Sequence, residues 1–141
     1  MTAPHRTRRG SDGERGAAAV EFALIAGILF TLVFGIIEFG QFFSQYEVFL
    51  SSAREGARTA SIHGTVAQVI STVDSAADPY TRNGSVTVSV SGSSGDPRCD
   101  GTIATIGKQV TVSWPQDFQI SVPLLPPINK TVTVKGVFEC E

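Results

Sequence analysis

Residues 15–22 read Arg-Gly-Ala-Ala-Ala-Val-Glu-Phe and divide the chain into two segments of different composition. The sequence before Gly16 is polar and rich in arginine, whereas residues 17–43 are mostly apolar and carry only two charges, Glu21 and Glu38. A carboxylate near the end of a membrane helix costs about 2–4 kcal/mol unless it is paired or reaches water. Glu21 is therefore a candidate functional residue.

The apolar segment, residues 17–43, is long enough to cross a membrane. As a helix its 27 residues rise about 40 Å, which exceeds a hydrocarbon core of about 30 Å. A cleaved secretory signal has a shorter apolar core that ends at a small-residue cleavage site, and this run continues into Tyr46 instead. Residues 1–16 show no apolar period, and we predict a cytoplasmic leader without regular structure.

The distribution of charge predicts the orientation of this span. Residues 1–16 contain four arginines and two acidic residues and carry +2, which leaves −4 for the rest of a chain whose net charge is −2. Positive flanks stay in the cytoplasm. We therefore expect a single-pass protein of the cytoplasmic membrane, with its N-terminus in the cytoplasm and its C-terminal domain extracytoplasmic. Without folded context or aromatic partners, the arginines do not indicate nucleic-acid binding.

Small residues recur every four positions along the apolar segment. Residues of this size at this spacing let a second membrane helix approach closely. The alternative is that glycine and alanine are simply common in membrane helices. The positions are Ala19, Ala23, Gly27, Thr31 and Gly35.

Beyond Glu38 the helical pattern becomes amphipathic and continues to about residue 62, with a stop near Gly64. A continuous helix over 17–62 would rise about 70 Å. Its second part is predicted to pack on a small domain. The apolar positions at helical spacing are Phe39, Phe43, Tyr46, Leu50, Ala53 and Ala57.

For residues 65–141 we predict a small extracytoplasmic α+β domain. A short helix is expected over 66–77, ending at Asp78-Pro79 because a residue before proline disfavours helical geometry. From position 82 the apolar period changes to two, which indicates strands with one buried face. Alternating runs occur at 86–90, 110–114, 118–122 and 131–134, with a further strand expected at 102–106. We predict a mostly antiparallel sheet of four or five strands that covers the long helix.

The two cysteines, Cys99 and Cys140, both fall on the predicted extracytoplasmic side, where disulfides persist. A bridge would close a loop of about 42 residues and stabilise the domain by about 4 kcal/mol in the chain-entropy model. Two unpaired thiols are the alternative. The only histidines that could bind a metal together with the cysteines are His5 and His63, so neither a metal site nor a cofactor is predicted.

The sequence contains no constellation that indicates catalysis. Nucleophile-elbow and phosphate-loop motifs are absent, and so are neighbouring nucleophile and base candidates. His63 fits the end of a helix better than a catalytic role. We expect the substrate of an enzyme rather than an enzyme.

The head of the chain resembles the processing site of type IV prepilins, where an aspartyl peptidase cuts after a glycine and a glutamate is the fifth residue of the mature chain. The first third as a whole resembles the TadE-like family, minor pseudopilins of tight-adherence (Flp) pilus systems. The residues that carry the resemblance are Glu14, Arg15, Gly16, Val20, Glu21, Phe22, Ile37, Glu38, Phe39, Gly40, Ala53, Arg54, Glu55, Gly56, Ala57 and Arg58.

This resemblance implies cleavage between Gly16 and Ala17 and a non-enzymatic role in pilus assembly and adhesion. It also implies as partners a prepilin peptidase, other pilin or pseudopilin subunits and the inner-membrane assembly platform. Glu21 would neutralise the new α-amine of an adjacent subunit, or alternatively only mark the start of the span. A second interpretation stays open, in which the chain is an uncleaved single-span protein with a small extracytoplasmic binding domain.

Overall fold

The computed structural model describes residues 12–92, 98–102, 105–122 and 125–141, with side chains from Gly16 onward. Two helices precede one antiparallel sheet with the strand order β1-β2-β3, so the predicted α+β fold is confirmed. The elements are α1 (Asp12–Ser61), α2 (Val66–Ala77), β1 (Thr87–Val90), β2 (Gln109–Ile120) and β3 (Ile128–Glu139).

Helix α1 is 50 residues long and rises about 75 Å. It begins at Asp12, so the expectation that residues 12–16 lack regular structure is wrong; residues 1–11 lie outside the described part. Glutamate, arginine and alanine are strong helix formers, and each residue added to an existing helix gains a hydrogen bond. At its other end, His63 adopts a left-handed φ of 67°, and the Gly64 N–H donates to the Thr59 carbonyl at 3.0 Å.

Helix α2 has the predicted bounds, because residues at each of its two ends determine where it begins and stops. Thr65 and Gln68 form a capping box in which each side chain accepts a hydrogen bond from the other residue's backbone N–H. The helix ends at Ala77, and Asp78 before Pro79 leaves helical geometry with a ψ of 135°.

The described residues contain three strands, fewer than the four or five expected. The run predicted at 110–114 and the first three residues of the run predicted at 118–122 belong to a single strand, β2, which continues through Pro115 and ends at Ile120. The Ser91 N–H donates to the Gln109 carbonyl, so odd-numbered residues of β2 direct their backbone groups toward β1. Pro115 lies beyond the last β1 pair, Thr87 with Ser113. Its missing N–H therefore deprives no residue of β1 of a ladder hydrogen bond.

The strand expected at 102–106 is also absent where the structure describes this stretch. Thr105 and Ile106 form a turn in which both backbone N–H groups donate to the Thr102 carbonyl. The Asp100 carboxylate accepts hydrogen bonds from the Thr102 and Thr105 hydroxyls, and these local bonds favour a turn over a strand. Residues 103 and 104 lie outside the described part.

The hydrophobic core lies between the C-terminal part of α1, α2 and one face of the sheet. From Ser52 onward its α1 face is made of small side chains, which lets the other elements approach closely. A Cβ built on Gly136 of β3 would lie 2.1 Å from the Ala53 carbonyl oxygen. The buried members include Phe49, Ala53, Ala57, Ala60, Val69, Val73, Val110, Val112, Trp114, Phe118 and Val134.

The packed face of α1 differs in part from the predicted one. Phe39 and Phe43 are 61% and 52% exposed. Phe42 contacts the core in their place, next to Tyr46, which contacts the core as predicted. Apolar residues occur at helical spacing on both faces of this stretch, so the periodicity alone did not separate them.

Candidate processing and assembly site

The N-terminal part of α1 stands clear of the folded domain. Gly16–Ser61 is long and apolar enough to cross a membrane, and no residue of its most apolar window is buried within the molecule. Phe22, Ile28 and Ile36 are among the large side chains left exposed. Exposed apolar area costs about 25 cal/mol per Å² in water, so a surface of this extent requires lipid or protein around it.

The predicted processing position lies near the start of this helix. Gly16 and Ala17 are exposed, and a Cβ added at Gly16 would meet nothing within 4 Å. The bond between them follows the first turn of α1, and helix ends fray. A peptidase could therefore reach the bond without disturbing the folded domain.

Glu21 follows Ala17 by four residues on the same helix. Residues at this spacing occupy one face, so the Glu21 carboxylate lies one turn from the Ala17 nitrogen. The Glu21 side chain is exposed and lies at the beginning of the uncharged stretch 22–37. The half-buried Glu38 lies at the other end of that stretch. The two carboxylates thus delimit the uncharged part of the span.

The small residues of the apolar segment form a shallow groove along α1. The groove is floored by Ala23, Gly27 and Thr31 and flanked by larger aliphatic side chains. Thr31 donates its hydroxyl hydrogen to the Gly27 carbonyl at 2.9 Å, which satisfies the hydroxyl inside the helix. A Cβ added at Gly27 or Gly35 would meet nothing within 4 Å, so packing within this chain does not require glycine there.

The structure joins Cys99 and Cys140 in a disulfide, with the sulfur atoms 2.00 Å and the Cα atoms 5.5 Å apart. Both cysteines are buried. The Cys140 N–H donates to the Lys108 carbonyl at 2.8 Å, and the Gly107 N–H donates to the Cys140 carbonyl at 3.1 Å. The bridge therefore attaches the end of the chain to the loop before β2.

No group of metal ligands assembles in the described part of the chain. His63 lies in the turn after α1, where a Cβ built on Gly101 would be 2.5 Å from its Nε2 atom. The Arg58 and Glu55 side chains form an exposed ion pair at 3.5 Å, one turn apart on α1. These positions fit structural roles and an accessible helix face rather than a reaction centre.

An aromatic cluster holds the sheet against α1. This cluster was not predicted from the sequence. The Phe42 and Phe118 rings pack edge to face with centroids 4.9 Å apart. Phe118 also contacts Phe49, which in turn contacts Trp114. The aromatic residues at positions 42, 46 and 49 recur at helical spacing, but Phe39 and Phe43 share this property, so the spacing alone did not identify the packed face.

Comparison with protein families identifies the N-terminal part of the chain. Residues 16–58 match the family model described as TadE-like protein. This segment is similar to the TadE-like family. The predicted resemblance is thereby confirmed over residues 16–58, and it suggests involvement in Tad pilus systems. No curated protein and no solved structure matches the chain significantly.

The TadE-like segment begins at the predicted processing glycine and ends after the Arg58–Glu55 ion pair. It contains the whole apolar segment and most of the helix face that packs on the domain. The sheet lies outside the match. In this chain the matched residues all lie on α1.

Proposed function

We propose that this chain is a non-enzymatic minor pilin-like subunit of a tight-adherence (Flp type IV) pilus system, acting in pilus assembly and adhesion. The observation that carries the proposal is the TadE-like segment, which begins at Gly16 and keeps its apolar half uncovered. A helix that its own domain leaves bare is suited to the membrane before assembly and to neighbouring subunits after it.

In this proposal, a prepilin peptidase cuts between Gly16 and Ala17 at the cytoplasmic face of the membrane. The arginines of residues 1–16 hold the leader in the cytoplasm, and the sheet domain lies on the extracytoplasmic side. The mature helix then joins other pilin or pseudopilin subunits on the inner-membrane assembly platform. Its groove of small residues would receive a neighbouring helix.

Glu21 has a specific role in this sequence of events. Cleavage creates an α-amine on Ala17, and both this amine and the Glu21 carboxylate are costly next to lipid. Pairing Glu21 with the amine of an adjacent subunit offsets both costs and favours the assembled state. Glu21→Ala should therefore reduce incorporation into the pilus or its assembly complex. Glu38→Ala, at the opposite end of the uncharged stretch, is the matched control.

The decisive experiment measures the intact mass of the full chain recovered from membranes, with and without a co-expressed prepilin peptidase. We expect the mass of residues 1–16 to be lost when the peptidase is present. Gly16→Leu should abolish this loss. Gly27→Leu, at an equally open glycine of the same helix, should leave processing intact.

An unchanged mass in the presence of an active peptidase would reject processing. It would favour the second candidate, an uncleaved single-span membrane protein with a small extracytoplasmic binding domain. The observation that favours this second candidate is that Gly16 and Ala17 are helical, whereas proteolysis requires the helix to open locally. Retention of residues 1–16 in the protein isolated from membranes would be its signature.

A further inference from the structure

Strand β2 runs along α1 toward the membrane half of the helix. At one end of the contact, a Cβ on Gly56 would lie 3.5 Å from a methyl group of Val112, and at the other end Phe42 packs on Phe118. The strand advances about 20 Å between Val112 and Phe118. The helix advances about 21 Å between Gly56 and Phe42. Because the two distances agree, the strand lies nearly parallel to the helix axis.

This alignment fixes the level of the turn between β2 and β3. Ile120 lies two residues beyond Phe118, or about 7 Å further along the helix axis, which is the level of Glu38. Ile128 is paired with Ile120 across the hairpin and lies at the same level. Glu38 ends the uncharged stretch of α1. The hairpin end therefore lies where the helix would leave the hydrocarbon region.

The side chains at this hairpin end are apolar and uncovered. Leu125 and Ile128 are 59% and 60% exposed, and Ile120 is half-buried. The exposed Lys130 is paired with Phe118 and thus lies on the sheet face that meets α1. We call Ile120, Leu125, Ile128 and Lys130 the hairpin end. Apolar side chains beside a lysine are suited to a membrane interface, where the ammonium group reaches lipid phosphates.

We propose that the hairpin end contacts the surface of the same bilayer that α1 spans, with its aliphatic side chains in the headgroup region and Lys130 on lipid phosphate. This inference rests on the membrane span of the proposed function. The occupant is lipid because the contacts between β2 and α1 set the height of the hairpin within one molecule, before any subunit joins. The contact would fix the domain against the membrane and orient the groove of α1 for assembly.

The test uses the full chain in vesicles of phosphatidylcholine and phosphatidylglycerol, with a polarity-sensitive fluorophore on one introduced cysteine at a time. The described cysteines are paired in the disulfide, so only the introduced thiol reacts under non-reducing conditions. Leu125→Cys reports the hairpin end. Ser89→Cys reports β1, about 30 Å further from the membrane than Ile120 along β2, where Ser89 pairs with Thr111. Ile28→Cys reports the span itself.

We expect lipids carrying a nitroxide near the headgroup to quench most of the Leu125→Cys fluorescence and little of the Ser89→Cys fluorescence. Equal quenching at these two positions would overturn the inference. A blue-shifted Leu125→Cys label without lipid quenching would also overturn it, because it would place the hairpin end against protein. Loss of quenching at Leu125→Cys, while lipids carrying the nitroxide on the acyl chain still quench Ile28→Cys, refutes only the hairpin contact. Absence of quenching at Ile28→Cys by these acyl-chain nitroxides refutes the span and the inference together.

Discussion

The two parts of α1 carry the same pattern of small residues, but these residues have different surroundings in each part. In the packed segment, residues 44–61, Ala53 and Ala57 are fully buried, and a Cβ on Gly56 would lie 2.4 Å from a methyl group of Val73. In the apolar segment, residues 17–43, a Cβ on Gly27 or Gly35 would touch nothing within 4 Å. One helix thus presents a small-residue face that is covered by its own chain in one part and left open in the other.

This difference shows what small residues accomplish on a helix surface. In the packed segment they let α2 and the sheet approach the helix backbone, so their role is visible within one subunit. In the apolar segment the same spacing is preserved without a partner in the chain. The proposed function supplies that partner as lipid first and a neighbouring subunit afterwards. The comparison predicts that changes in the packed segment affect stability, whereas matched changes in the apolar segment do not.

The largest expected effect comes from the covalent link that only the folded domain possesses. Replacing both cysteines, Cys99→Ser with Cys140→Ser, should lower the free energy of unfolding by about 4 kcal/mol in the chain-entropy model, because the bridge closes a long loop of the unfolded chain. The measurement is guanidinium unfolding in detergent followed by the fluorescence of Trp114, which is buried in the core.

Reduced wild-type protein is the control for this double variant, and the two should unfold at the same guanidinium concentration. Membrane association through the apolar segment should be unchanged. An unfolding midpoint equal to that of the oxidised wild type would contradict the assigned role of the bridge.

The second prediction compares the effect on domain stability of replacing a glycine in the sheet with that of replacing a glycine in the apolar segment. Gly136→Ala should destabilise the domain by about 3 kcal/mol, because the new methyl group collides with the Ala53 backbone, which cannot move aside as a flexible side chain would. Gly35→Ala adds the same methyl group in open space and should not lower domain stability. Both values follow from Trp114 fluorescence during guanidinium unfolding. Equal losses in the two variants would remove the distinction between the two segments.

Much of this fold was predictable where local chemistry decides the structure. The capping box at Thr65 and the Asp78-Pro79 pair set the bounds of α2, and the apolar segment indicated its helix directly. The alternation of buried and exposed residues along β1 and β2 also followed the predicted period of two. In each case the residues that decide the structure are neighbours in the sequence.

The failures concern interactions between distant residues. Periodicity selected Phe39 and Phe43 as packed positions, and the choice of Phe42 instead depends on Phe118, which is far away in the chain. The continuation of β2 through Pro115 depends on where β1 ends. Of the candidate site, the positions of Ala17 and Glu21 on one helix were predicted, whereas Gly16 was expected to precede that helix and lies within it. The height of the hairpin end was not, because it requires the alignment of β2 with α1.

A smaller effect is expected at the start of α2, the helix that covers the small residues of the packed segment. Thr65→Ala removes the oxygen that accepts from the Gln68 N–H and should cost about 1 kcal/mol of domain stability. Thr65→Ser keeps the hydroxyl and should retain most of it. Unfolding followed at Trp114 tests both. A loss in Thr65→Ser equal to that in Thr65→Ala would show that the cap is not responsible.

The smallest effect concerns acid sensitivity, which only the folded domain should show. Hydrogen bonds from the Thr105 hydroxyl, and then from the hydroxyl and backbone N–H of Thr102, lower the pKa of Asp100 from its ordinary value of 3.8 to about 2. Because the folded-state pKa is the lower one, this carboxylate stabilises the fold above pH 3.8, and the contribution is lost as the pH falls toward about 2. Asp100 is exposed, so the change is small.

Asp100→Asn should therefore lose less stability than the wild type when the pH is lowered through this range, because the amide has no charge to lose. Thr102→Val, which removes the Thr102 hydroxyl and keeps its backbone N–H, should fall between the two. Guanidinium midpoints measured at neutral pH and near pH 2 supply the comparison. If Asp100→Asn and the wild type lost stability in parallel, the hydrogen bonds at Asp100 would contribute to the shape of the turn but not to its response to acid. The acid sensitivity of the domain would then have to come from other carboxylates, whereas the contrast between the packed and apolar segments of α1 would stand.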